Sequence, residues 1–284
     1  MINRVKIQLS YIKNVKMRNV RWGFRFIHER EPQDNKIIGL LRLRNESLLL
    51  RDTLDHMSQH VDGVVIFDDS STDDSVEIAR KHPLVTDIIV NKHWKKNNRK
   101  WEETANRSII YKYAKKKYNP EWFFYFDADE RFEGDIRGIL TDKKFSNIDG
   151  IRVSLLDAYI TKNDQTAYKS GQKLYGSREM FGIERRDILM IWRNNGKAKY
   201  ILPDSREPAG IAGEATLINF WCQHYGKAVS IDQWEETCKY YAENFPMYAD
   251  KWRARVGKAI HSKSDFDTKL YNWEDAKKYS IPLV

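Results

Sequence analysis

With 284 residues, 41% hydrophobic and 13% aromatic, the chain can build a sizeable core, which excludes the disordered and fibrous classes. A net charge of +9 and a pI of about 9.3 favour anionic partners such as nucleotides or phospholipid surfaces. Two cysteines, Cys222 and Cys238, are too few for a disulfide framework or a zinc cluster, and no apolar run reaches bilayer length. With no signal-peptide core at the N-terminus, the expected location is the cytoplasm, with peripheral contact at a membrane surface as a further expectation.

Residues 1–35 are a basic arm in which Arg4, Lys6, Lys13, Lys16, Arg18, Arg21 and Arg25 alternate with Ile7, Leu9, Ile12, Val15, Trp22, Phe24 and Phe26. Two readings stand: an amphipathic segment lying on an anionic membrane, or a strand or helix leading into the domain. The stretch 31–35, Glu-Pro-Gln-Asp-Asn, reads as a boundary.

From Lys36 strands and helices alternate. Residues 37–43 predict a strand, and Asn45 a cap for a helix with Leu50, Leu54, Met57 and Val61 on one face. A second strand follows at 64–67, a polar turn into a helix ending near 81, and a third strand at 87–90. The basic loop 93–100 reads as a solvated run, with phosphate contact the lesser reading. A helix over 101–117 and a strand at 122–126 complete the pattern, which specifies a mostly parallel central sheet flanked by helices.

Beyond Gly134 the pattern is weaker. Strands are expected at 150–156, 188–192 and 216–221, and the glycine-containing stretch 159–182 reads as a mobile loop. Residues 230–260 are helical in pattern, with Trp234, Cys238 and Tyr241 at helical spacing. The expected organisation is therefore a basic arm at 1–35, an α/β domain at 36–226 and a C-terminal helical appendage at 227–284.

Two acidic clusters sit where buried strands end. In open α/β sheets ligands bind outside the carboxyl ends of strands, so these are the places for chemistry. Asp127 and Asp129 flank one residue after Trp-Phe-Phe-Tyr-Phe, and in an extended turn two such carboxylates suit one hard cation. Asp265 and Asp267 have the same spacing without a buried strand before them and read as solvated. At the earlier cluster, Thr72 and Asp73 read as helix caps, leaving Asp68 and Asp69 to accept hydrogen bonds from a base or ribose.

The strand at 37–43 with Arg44-Asn45-Glu46, then Phe67-Asp68-Asp69-Ser70-Ser71-Thr72-Asp73, then Asp127-Ala128-Asp129-Glu130 resembles the family 2 glycosyltransferases of the GT-A fold. The likeness spans roughly 36–135 and runs on more loosely to about 226. It implies sugar transfer from a nucleotide-sugar donor, with a UDP-sugar the leading candidate, to a glycan, lipid-linked or protein-linked acceptor hydroxyl. Inversion at the anomeric carbon is the expected outcome.

The resemblance implies donor contacts at Asp68, Asp69 and Asp127, and Arg107 of Asn106-Arg107 matches a pair found near the donor in many members. It implies Mn²⁺ or Mg²⁺ on Asp127 and Asp129, with His224 of Trp-Cys-Gln-His-Tyr-Gly completing the shell; the bland alternative for His224 is a structural histidine. A related subgroup carries its base as the Glu of a His-Glu pair. Here Arg206 stands where the His would be, and Glu207 is the first candidate base, followed by Glu214 and Asp157. A surface Arg/Glu pair is the plain alternative for 206 and 207.

Two other functions compete. A nucleotidyltransferase would want a glycine-rich phosphate loop near its first strand, and Leu41-Arg42-Leu43-Arg44-Asn45 is not one. A nucleic-acid-binding protein would explain the charge, but the cations are spread through the chain and no binding module appears, so no nucleic-acid partner is expected.

Overall fold

Short runs of β-branched and aromatic residues set the strands of this chain. Residues 23–280, apart from Asn97 and Asp204, are described in a computed structural model. Residues 1–22 of the expected arm at 1–35 thus lie outside the described residues. The chain divides into two compact units, one made of Met1–Ala128, Lys143–Gly150 and Met190–Thr216. The other comprises Asp129–Asp142, Ile151–Leu189 and Leu217–Val284, so the two aspartates of the Asp-x-Asp element fall in different units.

The first unit carries strands β1 (Phe24–His28), β2 (Ile37–Leu43), β3 (Gly63–Asp68), β4 (Val85–Asn91) and β5 (Trp122–Phe126), in the order β1-β4-β3-β2-β5. Strands β2 to β5 pair in parallel, whereas β1 is antiparallel to β4 and residues 191–193 are antiparallel to β5. Every residue of β3 and β5 is buried, which is why these strands read as unbroken apolar runs. Helices α1 (Leu50–Met57), α2 (Ser75–Lys81) and α3 (Arg99–Lys117) flank the sheet. In this unit the architecture is the expected mixed α/β one, with a sheet that is mostly but not purely parallel.

Strand β1 meets one of the two readings of the basic arm: residues 24–28 lead into the domain, and His28 Nδ1 stands 3.2 Å from the buried Asp87 on β4. Much of the aromatic content is core. Tyr111, Phe123, Trp192 and Tyr200 interlock, with ring centroids 5.0 to 6.3 Å apart. Asn45 does not cap α1, whose N-cap is Leu49 without a side-chain bond. Asn45 takes the left-handed conformation (φ 56°) and its amide oxygen accepts from Thr72 N–H at 2.8 Å, tying the loop after β2 to the loop after β3.

The second unit carries β6 (Glu130–Glu133), β7 (Gly150–Tyr159) from its second residue, β8 (Met180–Arg193) as far as Leu189, β9 (Thr216–His224) from its second residue, and β10 (Leu270–Tyr271). The order is β8-β7-β9-β6, with β10 antiparallel to β8. Helices α4 (Ile136–Thr141), α5 (Ile231–Asn244), α6 (Ala249–Arg253) and α7 (Trp273–Tyr279) complete it. Helix α5 buries Trp234 and Cys238, and Tyr241 stacks on Trp252 of α6 at 4.6 Å.

The stretch expected to be a mobile loop is tied down instead. The buried Arg178 guanidinium donates to Asp164 Oδ1, Thr166 O, Ala228 O and Val229 O, and β8 already begins at Met180. Glycines suggested a loop; one buried arginine bonded to four acceptors outweighs them. Among the described residues no helix is long and apolar enough to cross a membrane.

Candidate active site

In the first unit, β5 delivers Asp127 to the carboxyl end of the parallel sheet. Buried Thr53 on α1 holds the turn from behind, donating its hydroxyl to Ala128 O at 2.6 Å. Asp127 is a third exposed, and Arg206 Nη1 stands 3.6 Å from its Oδ2. The segment carrying Arg206 is fastened to α3: Thr104 Oγ1 donates to Leu202 O at 2.8 Å, and Arg107 Nη1 donates to Ser205 O at 3.4 Å. Arg107 also donates its Nε–H to Tyr125 Oη at 3.2 Å. The arginine that the resemblance put near a donor is thus buried and braces the 202–206 loop.

Of the candidate bases in this unit, Glu207 is half-buried beside Arg206, with its backbone carbonyl accepting from Ser205 Oγ at 2.5 Å. Glu214 is exposed on the 3-10 turn Gly213–Ala215.

At the end of β3, Asp69 is not left open for a ligand. Its carboxylate takes the buried Arg99 at 2.6 Å, the partly buried Arg42 at 3.0 Å and the buried Asn91 amide at 3.0 Å. Burial alone would push this carboxyl up, but the two guanidiniums outweigh it and hold it down at about 2. Asp68 lies beside it; burial raises its carboxyl, and the Ser71 N–H bond at 3.2 Å only partly offsets that. Asp73 bonds Ser75 N–H at the start of α2 as a cap would, although the cap position itself is Asp74. Thr72 bonds Asn45 instead.

In the second unit the register of β6 on β9 fixes the chemistry. Glu130 faces His224 in the antiparallel ladder and Tyr225 N–H donates to Asp129 O at 2.9 Å, so Asp129 and His224 meet at one end of the pair. His224 Nε2 lies 3.4 Å from Asp129 Oδ2, and Nδ1 lies 2.5 Å from Oδ1 of the buried Asp157 on β7. Burial would lower the imidazole, yet Asp129 and Asp157 together raise it to about 10.

Asp157, the third candidate base, also pairs with Lys227 and with Arg186 at 3.1 Å. Burial pushes its carboxyl up, and His224 and Lys227 more than reverse that, holding it well below the usual range. Lys227 continues the chain of charge to Asp265 at 2.7 Å, which Arg255 also meets at 2.7 Å. The pair at 265 and 267, expected to be solvated, therefore splits: Asp265 is paired while Asp267 is exposed.

Among the described residues no three His, Cys, Asp or Glu side chains converge into a ready cation cage. The donor chemistry in the second unit nonetheless fits Mn²⁺ or Mg²⁺. A carboxylate oxygen and an imidazole nitrogen face one another, with the other ring nitrogen held by a buried carboxylate in the way ligand histidines are oriented. Space beside them is kept by Gly226, where a Cβ would lie 2.9 Å from Asp129 Oδ2 and 3.1 Å from His224 Nε2. Such cations keep much of their shell as water and substrate phosphate, so a small protein donor set suffices.

The partners Thr53, Lys227 and Arg186 escaped the sequence reading. Lys227 had a faint signal, a cation three residues after His224 at a strand end, whereas Thr53 had none.

Residues 43–154 match the family model described as glycosyl transferase family 2. The resemblance drawn from the strand-end motifs is thus met by the family 2 model over this segment, which is less than half of the chain. Uncharacterised proteins of Mycobacterium bovis and Mycobacterium tuberculosis are each 33% identical over 103 residues, 36% of this chain. The match spans only 25% of the length of those relatives. Among solved structures, glucosyl-3-phosphoglycerate synthase from Mycobacterium tuberculosis in complex with phosphoglyceric acid is 14% identical, with 43% of this chain and 44% of that one covered and a TM-score of 0.29. A superposition that loose transfers nothing to this chain.

Proposed function

We propose that the chain is a nucleotide-sugar-dependent glycosyltransferase that moves a sugar from a nucleoside diphosphate to an acceptor hydroxyl with inversion. The observation that carries this reading is the placement of Asp127 at the carboxyl end of β5, within the segment that matches family 2 glycosyltransferases. Asp129 and His224 of the second unit are residues that would hold Mn²⁺ or Mg²⁺, and Asp127 is proposed as a ligand from its place in the Asp-x-Asp element alone. When bound, such a cation supplies Lewis-acid neutralisation of the charge that builds on the departing diphosphate.

The chain's own residues do the rest. Asp157 accepts the Nδ1 proton of His224 and so keeps Nε2 turned towards Asp129. Asp68 lies at the end of β3, where a base or ribose would be met, and Asp69 backs it by fixing Arg42 and Arg99. Glu207 takes the proton from the acceptor hydroxyl as it attacks the anomeric carbon, which has oxocarbenium character at the transition state. Asp157 is committed to three cations, and this favours Glu207 over it as the base.

The test is a thermal-shift panel of UDP-, GDP- and dTDP-sugars with and without Mn²⁺, run on the native chain and on Asp127→Ala and Asp129→Ala. A ligand that binds only the folded state raises apparent stability, by about 2.7 kcal/mol at a hundredfold excess over Kd. One donor class should stabilise the native chain in Mn²⁺, and both variants should fold yet lose that response and turnover. No stabilisation by any donor, or full turnover by either variant, would overturn the reading.

A further inference from the structure

A helix packed on a sheet ordinarily buries an apolar stripe, yet the first half of α3 turns a charged one inwards. Arg99, Glu103 and Arg107 recur at four-residue spacing and so share one face of the helix. Their side chains are 1%, 13% and 8% exposed. Glu103 stands 3.3 Å from Arg42 on β2, 3.6 Å from Arg107 and 3.7 Å from Arg99. Burial pushes its carboxyl up, and Arg42, Arg107 and Arg99 together more than reverse that.

Each of these guanidiniums reaches past Glu103 to a different part of the first unit. Arg99 meets Asp69 at 2.6 Å and donates to Lys95 O at 3.3 Å, and Arg42 meets Asp69 at 3.0 Å. Arg107 donates to Ser205 O at 3.4 Å and to Tyr125 Oη at 3.2 Å. One carboxylate therefore stands between the end of β3, where Asp68 emerges, and the loop that carries Glu207. Neutralising it would leave Arg42 and Arg99 to Asp69 and remove the carboxylate paired with Arg107. Apolar packing would stabilise such an interface as well or better. What the ionic stripe adds is direction, because guanidinium and carboxylate meet along fixed edges.

We infer that Glu103 is a positioning residue that sets two parts of the transferase site from one point. These are the end of β3 at Asp68 and Asp69, where the donor's base or ribose is met, and the stretch 205–207 with its base for the acceptor. This rests on the reading of the chain as a nucleotide-sugar transferase and adds to it a shared support that touches neither substrate.

The experiment joins hydrogen exchange to donor binding and kinetics. The proteins are the native chain, Glu103→Gln, Glu103→Asp, Arg107→Lys and Ile110→Val, each first checked for a native melting transition. The last trims a fully buried residue elsewhere on α3 and controls for lost stability. Donor affinity is read by calorimetry with UDP-, GDP- and dTDP-sugars in Mn²⁺, and turnover as donor hydrolysis. Glu103→Gln should quicken exchange at both 68–72 and 205–207 and weaken donor binding by about threefold. Its kcat should fall by about tenfold. Glu103→Asp, which keeps the charge, should recover part of each loss. Arg107→Lys should quicken exchange at 205–207 alone and lower kcat with donor affinity unchanged. Ile110→Val should move neither segment.

Unchanged exchange in Glu103→Gln, or a change confined to one segment, would overturn the inference. So would a loss of donor affinity in Arg107→Lys. If Glu103→Gln does not fold, Glu103→Asp and Arg107→Lys decide by the same readouts. Altered exchange with native donor affinity and kcat would sink the positioning role while leaving the transferase reading in place. No donor binding by the native chain under any condition would remove both.

Discussion

His224 faces Asp129 with one ring nitrogen, at 3.4 Å, while Asp157 on the neighbouring strand β7 holds the other at 2.5 Å. An imidazole clamped this way has one orientation available, and a cation on Nε2 would have to displace the proton that Asp129 and Asp157 favour on the ring. Removing His224 as Ala should weaken Mn²⁺ binding more than removing the clamp. Asp157→Asn should weaken it by about 10- to 100-fold, the usual cost of losing the partner of a ligand histidine. Mn²⁺ titration followed by electron paramagnetic resonance checks both, and unchanged affinity in His224→Ala would make this histidine a structural one.

Gly226 guards the space next to those groups. A methyl there would stand 2.9 Å from Asp129 Oδ2 and 3.1 Å from both Cε1 and Nε2 of His224. Those neighbours are side-chain ends, so the fold can absorb Gly226→Ala at a cost within about 1 kcal/mol. The space beside them cannot. The variant should melt within a few degrees of the native protein and yet bind Mn²⁺ at least tenfold more weakly. A variant with native affinity would show that nothing needs the gap.

The motifs that were legible in the sequence are those carried by the backbone pattern. Unbroken apolar runs gave β3 and β5, and the acids that end them gave the places where Asp68 and Asp127 emerge. Long-range pairing was not legible. Strand β6 begins at Glu130 with two charged residues, Glu130 and Arg131, both fully buried, so the sequence there looks like a solvated turn. That hidden strand sets the register bringing His224 to Asp129.

Helix α3 misled in the opposite sense. Trp101, Ala105, Ile109 and Tyr113 share one face by spacing, but of these only Ala105 is among the deeply buried residues, which otherwise include Thr104, Ser108, Ile110 and Ala114. Small and polar side chains allow the close approach that its buried Arg107 needs, and hydropathy alone does not show this. Arg42 and Arg99 around Asp69 were invisible for the same reason, since a buried ion cluster has no sequence period.

That cluster contributes to the acid sensitivity of the fold. Asp69 has its carboxyl held at about 2 against an ordinary 3.8, because Arg42 and Arg99 overcome the cost of its burial. A carboxyl depressed in the folded state adds stability above its unfolded pKa, and loses it as pH falls through the folded one. The contribution, about 2 kcal/mol from a shift of this size, should be whole at pH 5 and drain away between about pH 4 and 2. Asp69→Asn abolishes the titration and strands the buried Arg99 guanidinium and the partly buried Arg42, so it should lose about 3 kcal/mol at neutral pH. Its stability should also change less than the native protein's between pH 4 and 2. Urea unfolding at stepped pH measures both, and equal acid slopes for variant and native protein would show that the carboxylate is not held by its arginines.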